Sequence, residues 1–105
     1  MSQVNWQRLL KCHKALKLKL TSLGLQTYED AAKLLGKDFK EPARILGRLY
    51  TLTVHADEFD NEIVVGVWLE RHAFLCSEGY SVGYSFTRNA TPRYLSQKNL
   101  WAHGY

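Results

Sequence analysis

The sequence predicts an α+β domain in which three N-terminal helices are followed by a β-hairpin and a short C-terminal helix or tail. Three observations carry that expectation. Apolar residues recur every three or four positions through residues 3–21 and again after residue 27. Thr27 and the pair Glu41-Pro42 have the chemistry of helix starts. Downstream, a Val-rich run, "EIVVGVWLE", and a period-two run, "YSVGYSFT", read as strands. At 105 residues the chain has room for one domain, with a helical part over 1–54, the hairpin over 62–87 and the tail over 88–105.

In the first helix Trp6, Leu9, Leu10, His13, Leu16 and Leu20 form the buried stripe, and Arg8, Lys11, Lys14 and Lys19 lie mostly off it. Gly24 ends it as a cap requiring positive φ. Thr27 opens the second helix, Glu29 and Asp30 complement its positive end, Ala31, Leu34 and Leu35 face inward, and Gly36 closes it. Proline is tolerated in a first helical turn, so the third helix begins near Glu41-Pro42, its apolar face built by Ile45, Leu46, Leu49 and Leu52. The run from Thr53 to Glu62, with Asp57, Glu58 and Asp60, reads as a polar loop. The two strands pair across "CSEG", with Gly66 marking a bulge or, alternatively, residues 62–76 helical. A short helix is expected from Pro92 to Trp101.

Charge is divided unevenly. Residues 1–50 hold ten Lys/Arg against four Asp/Glu, a net of +6, whereas residues 51–105 hold four against six, a net of −2. A basic first half attracts polyanions through a salt-sensitive force that needs no sequence preference. Two cysteines, Cys12 and Cys76, are too few for a disulfide framework and suit a reducing cytoplasm. No stretch reaches the roughly 18 consecutive apolar residues of a membrane-spanning helix.

The stretch "TYEDAAKLLGKDFKEPARILGRLY", residues 27–50, carries a resemblance. Thr27-Tyr28, Ala32, Leu34-Leu35-Gly36 and Ala43-Arg44-Ile45-Leu46-Gly47-Arg48 are similar to the helix-turn-helix of the alkylguanine-DNA alkyltransferases and the alkyltransferase-like proteins. The resemblance implies a winged-helix-like DNA-binding module whose second helix enters the minor groove. It also implies that Arg44 takes the place of a flipped base and that Tyr28 helps rotate the nucleotide. The six residues "KDFKEP" between Gly36 and Ala43 are about two more than the family shows, Glu29 stands where the family has glycine, and the Pro-Cys-His-Arg methyl-acceptor motif is missing. Alkyl transfer is therefore not implied.

Other constellations carry less. Cys76 with His72 four residues before it lacks the proline and the His-Arg that flank the family's methyl-acceptor cysteine. A thiol nucleophile would need Cys76 and His72 both in a cleft with the thiol pKa lowered, and a buried small hydrophobe is the favoured reading. Cys12, His13, His55, His72 and His103 do not make a zinc-ligand spacing, and Asp57, Glu58, Asp60 and Glu62 read as a solvated loop rather than a two-metal site. In the tail, Arg88, Arg93 and Lys98 interleave with Tyr94, Trp101 and Tyr105, either as a stacking surface for single strands or as packing, which is favoured. The expected function is a small, non-enzymatic, cytoplasmic DNA-binding protein without metal or cofactor. Lys37, Lys40 and Arg48 contact phosphates of a duplex, Arg44 and Tyr28 approach the bases, and Lys11 and Lys14 add nonspecific attraction. The alternative is a protein-interaction module, such as an accessory or inhibitor protein of phage or plasmid type that docks on a larger enzyme.

Overall fold

The computed structural model describes residues 3–72 and 77–96. One long helix, α1 (Gln3–Ser22), and one short helix, α2 (Tyr28–Ala32), precede five strands: β1 (Phe39–Ile45), β2 (Arg48–Phe59), β3 (Glu62–His72), β4 (Ser77–Thr87) and β5 (Arg93–Leu95). The strands lie in the order β1-β2-β3-β4-β5, every neighbour antiparallel, so the sheet is a meander with α1 across one face.

The caps of the first two helices follow the sequence, but α2 ends at Ala32, four residues before the expected stop at Gly36. Gly24 closes α1 with φ +65°. Thr27 caps α2: its hydroxyl accepts from the Asp30 N–H at 3.1 Å, and the Asp30 carboxylate accepts from the N–H groups of Thr27 at 3.2 Å and Gln26 at 3.0 Å. The Gln26 N–H is the chief cause that holds the Asp30 carboxyl below its ordinary range.

The three-helix expectation fails at residue 39. The third helix is absent, and its residues form β1 and the start of β2. Leu46 and Gly47 make a two-residue turn, both with positive φ (48° and 80°), and Ile45 pairs directly with Arg48. That is the backbone of a tight β-hairpin, whose twist matches the flanking strands. Beyond it Tyr50, Leu52, Val54 and Ala56 alternate with Thr51, Thr53, His55 and Asp57, and the first set is buried against α1. Pro42, read as a helix start, sits instead in an edge strand, where a missing N–H is tolerated. The expected polar loop over 53–62 is the rest of β2, its turn at Asp60-Asn61 and the first residue of β3. The molecule is therefore mostly β-sheet, not a winged-helix-like arrangement.

The hairpin of β3 and β4 forms as expected, in unbroken register with Gly66 opposite Gly83 and no bulge. In the tail, Arg93–Leu95 form a strand rather than part of a helix, and residues 97–101 of the expected helix lie outside the described residues.

The core lies between α1 and the sheet. Its helix stripe is Arg8, Cys12, Leu16 and Leu20, four residues apart, facing Val54, Val65, Val67 and Val82 among others. Leu16 is fully buried, and burial of such a side chain stabilises by about 2 kcal/mol. Trp6, Leu9 and Leu10, expected inside, point outward instead.

Candidate functional site

Two surfaces and two polar clusters concentrate the chemistry. The first cluster pins α1 to the β1–β2 hairpin. Arg8 is only 7% exposed, and its guanidinium donates through Nη1 to the Ile45 carbonyl at 2.8 Å and through Nη2 to the Leu46 carbonyl at 3.1 Å. Nη1 also reaches the Tyr50 hydroxyl at 3.4 Å, and that hydroxyl donates to Glu78 Oε2 at 2.7 Å. Glu78 is the hub: Arg48 donates to its Oε1, and Arg71 reaches the same oxygen at 3.3 Å. Burial opposes ionisation of Glu78, but the Tyr50 hydroxyl and the Arg48 and Arg71 charges outweigh it and hold the carboxyl below its ordinary value. Burial first, and the carboxylate it bonds to second, push the Tyr50 phenol up to about 12. Burial also raises the Cys12 thiol. Neither group is ionised near neutral pH, so this cluster supplies no thiolate or phenolate nucleophile.

The second cluster lies on the sheet face away from α1. His55 Nδ1 is 2.6 Å from Asp38 Oδ1 and Nε2 is 2.8 Å from Asp57 Oδ1. Both nitrogens can donate to these carboxylates only in the protonated ring. Partial burial opposes the charge, yet the two carboxylates win and raise the His55 pKa. Among the described residues, no three His, Cys, Asp or Glu side chains are grouped to hold a metal ion.

The first surface is a cleft of about 770 Å³ over β1, β2 and β3. Lys40, Arg44, Arg48 and Arg71 line it, with Leu49 and Thr51. The second surface is the outer face of α1. The helix carries Arg8, Lys11, Lys14, Lys17 and Lys19 and no acidic residue. Lys11, Lys14 and Lys17 are exposed beside Trp6 (54% exposed), Leu10 (52%) and Leu18 (62%).

The residues expected to contact DNA are divided by this architecture. Lys40 and Arg44 project from β1 on the face away from α1, whereas Arg48 shares the α1 face with Tyr50 and borders the cleft while bonded to Glu78. Lys11 and Lys14 stand on the opposite side of the molecule, on α1. Lys37 is exposed just after Gly36. Tyr28 is buried, donates its hydroxyl to Glu58 Oε2 at 3.3 Å, and has the Arg88 guanidinium 4.7 Å above its ring, so it is not free to turn a nucleotide. Cys76 lies outside the described residues, and His72 is exposed near Glu70 at 3.5 Å. Tyr94 packs edge-on to Tyr84 at 5.7 Å, beneath the Lys17 ammonium at 5.3 Å.

The helical spacing places Arg8 off the buried stripe, and no sequence motif marks Tyr50 or Glu78. The signal that marks Arg8 is the four-residue spacing of Arg8, Cys12, Leu16 and Leu20, which an arginine in the buried stripe obscures. Compared with protein-family models, curated proteins and solved structures, the chain has no significant match in any of the three.

Proposed function

We propose that this chain is a binding protein that docks on an acidic protein surface through the outer face of α1. The observation that carries this reading is the composition of that face: Trp6, Leu10 and Leu18 stand in solvent among Lys11, Lys14 and Lys17, with no carboxylate on the helix. Isolated exposed leucines are ordinary, but a tryptophan and two leucines along one rigid helix supply the apolar anchors of an interface, and tryptophan is prominent among residues that dominate binding energy. The three lysines set the partner's charge. A second copy of the chain would bring two positively charged faces together, which repel, whereas a carboxylate-rimmed groove matches them and speeds encounter. DNA matches the lysines but leaves the leucines and the tryptophan without an apolar partner. Its expected contacts, moreover, are split between opposite sides of a molecule about 24 Å thick.

The test is affinity capture from an extract of the source cells with three baits: the unaltered chain, Trp6→Ala/Leu10→Ala, and Lys11→Glu/Lys14→Glu. These positions are exposed, so the baits fold alike by circular dichroism. The expected partner is retained by the unaltered chain and lost by both variants, and once purified it binds each variant at least tenfold more weakly. Equal retention by all three baits overturns the reading.

A further inference from the structure

The cleft over β1, β2 and β3 lies apart from the outer face of α1, and its charges have a specific arrangement. Of its two carboxylates, one is paired and the other is neutralised only when a histidine beside it is protonated. Glu41 pairs with Lys19 at 3.0 Å, and Glu70 lies 3.5 Å from the His72 ring. Arg48 and Arg71 each direct Nη1 to Glu78. Lys40 has no ion pair among the described residues, and Arg44 makes a long bond to the Gly47 carbonyl at 3.3 Å that leaves most of its guanidinium open. The positive charge that remains for a ligand is therefore that of Lys40 and Arg44.

Lys40 and Arg44 are four residues apart on one face of β1, with Pro42 between them. At roughly 3.3 Å per residue their Cα atoms are about 13 Å apart. One isolated anion cannot use both at full strength, but an extended chain of phosphates laid along the strand can. Arg44 provides the fork geometry that a phosphate accepts bidentately, and Lys40 provides a point charge. Leu49, cross-strand from Arg44 and exposed, gives an apolar seat beside the phosphate for a sugar or base. The cleft volume of about 770 Å³ suits a few nucleotides of a single strand, whereas a duplex can rest only one backbone across its mouth. We infer that the β1–β3 cleft binds a short segment of single-stranded nucleic acid by its phosphates, with little base preference.

The test is fluorescence anisotropy of a labelled twelve-nucleotide oligothymidine with the full chain at 50 and 200 mM salt. Binding in the nonspecific range, with log K falling against log salt at about −0.7 for each phosphate neutralised, gives a slope between about −1.4 and −2.8 for two to four contacts. Lys40→Ala should lessen that slope by about 0.7, and Lys40→Ala/Arg44→Ala should weaken binding at least tenfold, while Lys11→Ala/Lys14→Ala leaves it within twofold. The α1 variant also separates this inference from the docking reading, because either surface can fail without the other. Absence of binding at 50 mM salt overturns the inference. So does equal loss in the α1 variant, tighter binding of a matched duplex, or full displacement by inorganic phosphate at an equal phosphate concentration.

Discussion

Arg8 is the residue whose removal tests the architecture most sharply. Its guanidinium closes two backbone carbonyls at the tip of the β1–β2 hairpin, at 2.8 and 3.1 Å. Hydrogen bonds from a charged donor contribute about 1.5–3 kcal/mol each, so the pair supplies about 3–6 kcal/mol. Against this stands the desolvation of a nearly buried guanidinium whose Nε has no partner among the described residues, a cost of about 1–3 kcal/mol that disappears with the side chain. Arg8→Met keeps the apolar stem, so the net loss is about 2–3 kcal/mol, equivalent to a fall in Tm of roughly 10–20 °C for a domain of this size. The effect should couple to Leu46, a non-glycine residue held at φ +48°, because the bond to its carbonyl helps to fix that strained turn. In a Leu46→Gly background the Arg8→Met loss should shrink by about 1 kcal/mol. The assay is urea unfolding followed by far-ultraviolet circular dichroism, with m unchanged between variants. A loss below about 0.5 kcal/mol, the size of an ordinary surface substitution, would refute the staple.

Further outcomes follow from the same structure. Leu46→Asn, which creates the Asn-Gly pair favoured in this turn, should raise stability by about 1 kcal/mol, because asparagine adopts left-handed backbone more readily than leucine; a lower urea midpoint would count against the turn. His55 has a raised folded-state pKa, so its stabilising ion pairs are fully present below its ordinary value of 6.5 and are lost as pH rises through the folded value. The unaltered chain should therefore lose stability as pH climbs above 6.5, and His55→Gln should flatten that slope in urea midpoints measured at pH 5.5, 7 and 8.5; parallel slopes would deny the two carboxylates their role. Leu16→Ala should cost about 3 kcal/mol by leaving a cavity under the helix, and a value near zero in the same unfolding assay would contradict the packing.

How much of this was legible in the sequence depends on which force fixed each element. α1, the Thr27 cap with Asp30 and the Gly24 stop are readable because each rests on chemistry within a few residues, and the β3–β4 pairing is readable because two strand-like runs follow one another in the chain. Residues 39–59 misled because Pro42 and the apolar set Ile45, Leu46, Leu49 and Leu52 satisfy a helical spacing as well. The decisive evidence was the alternation of Tyr50, Leu52, Val54 and Ala56 with Thr51, Thr53, His55 and Asp57, together with a turn at Leu46-Gly47 that lacks the usual Asn-Gly signature. The inward face of α1 is hidden from the sequence because Arg8 occupies a core position by bonding to backbone carbonyls 37 and 38 residues away, which no local pattern reveals. For the same reason helical spacing places Trp6 and Leu10 in the core that Arg8 and Cys12 fill. For the cleft, Lys40, Arg44 and Arg48 were singled out from the sequence, but what brings them together is strand pairing rather than a helical corner.

The outer face of α1 is tested most directly by replacing Leu10 with a photo-crosslinking phenylalanine analogue in the living source cell, with the same analogue at exposed Glu29 as the control. Irradiation should join position 10, and not position 29, to one protein whose crosslinked peptide is rich in Asp and Glu. No adduct at position 10, or the same adducts at both positions, would contradict the account.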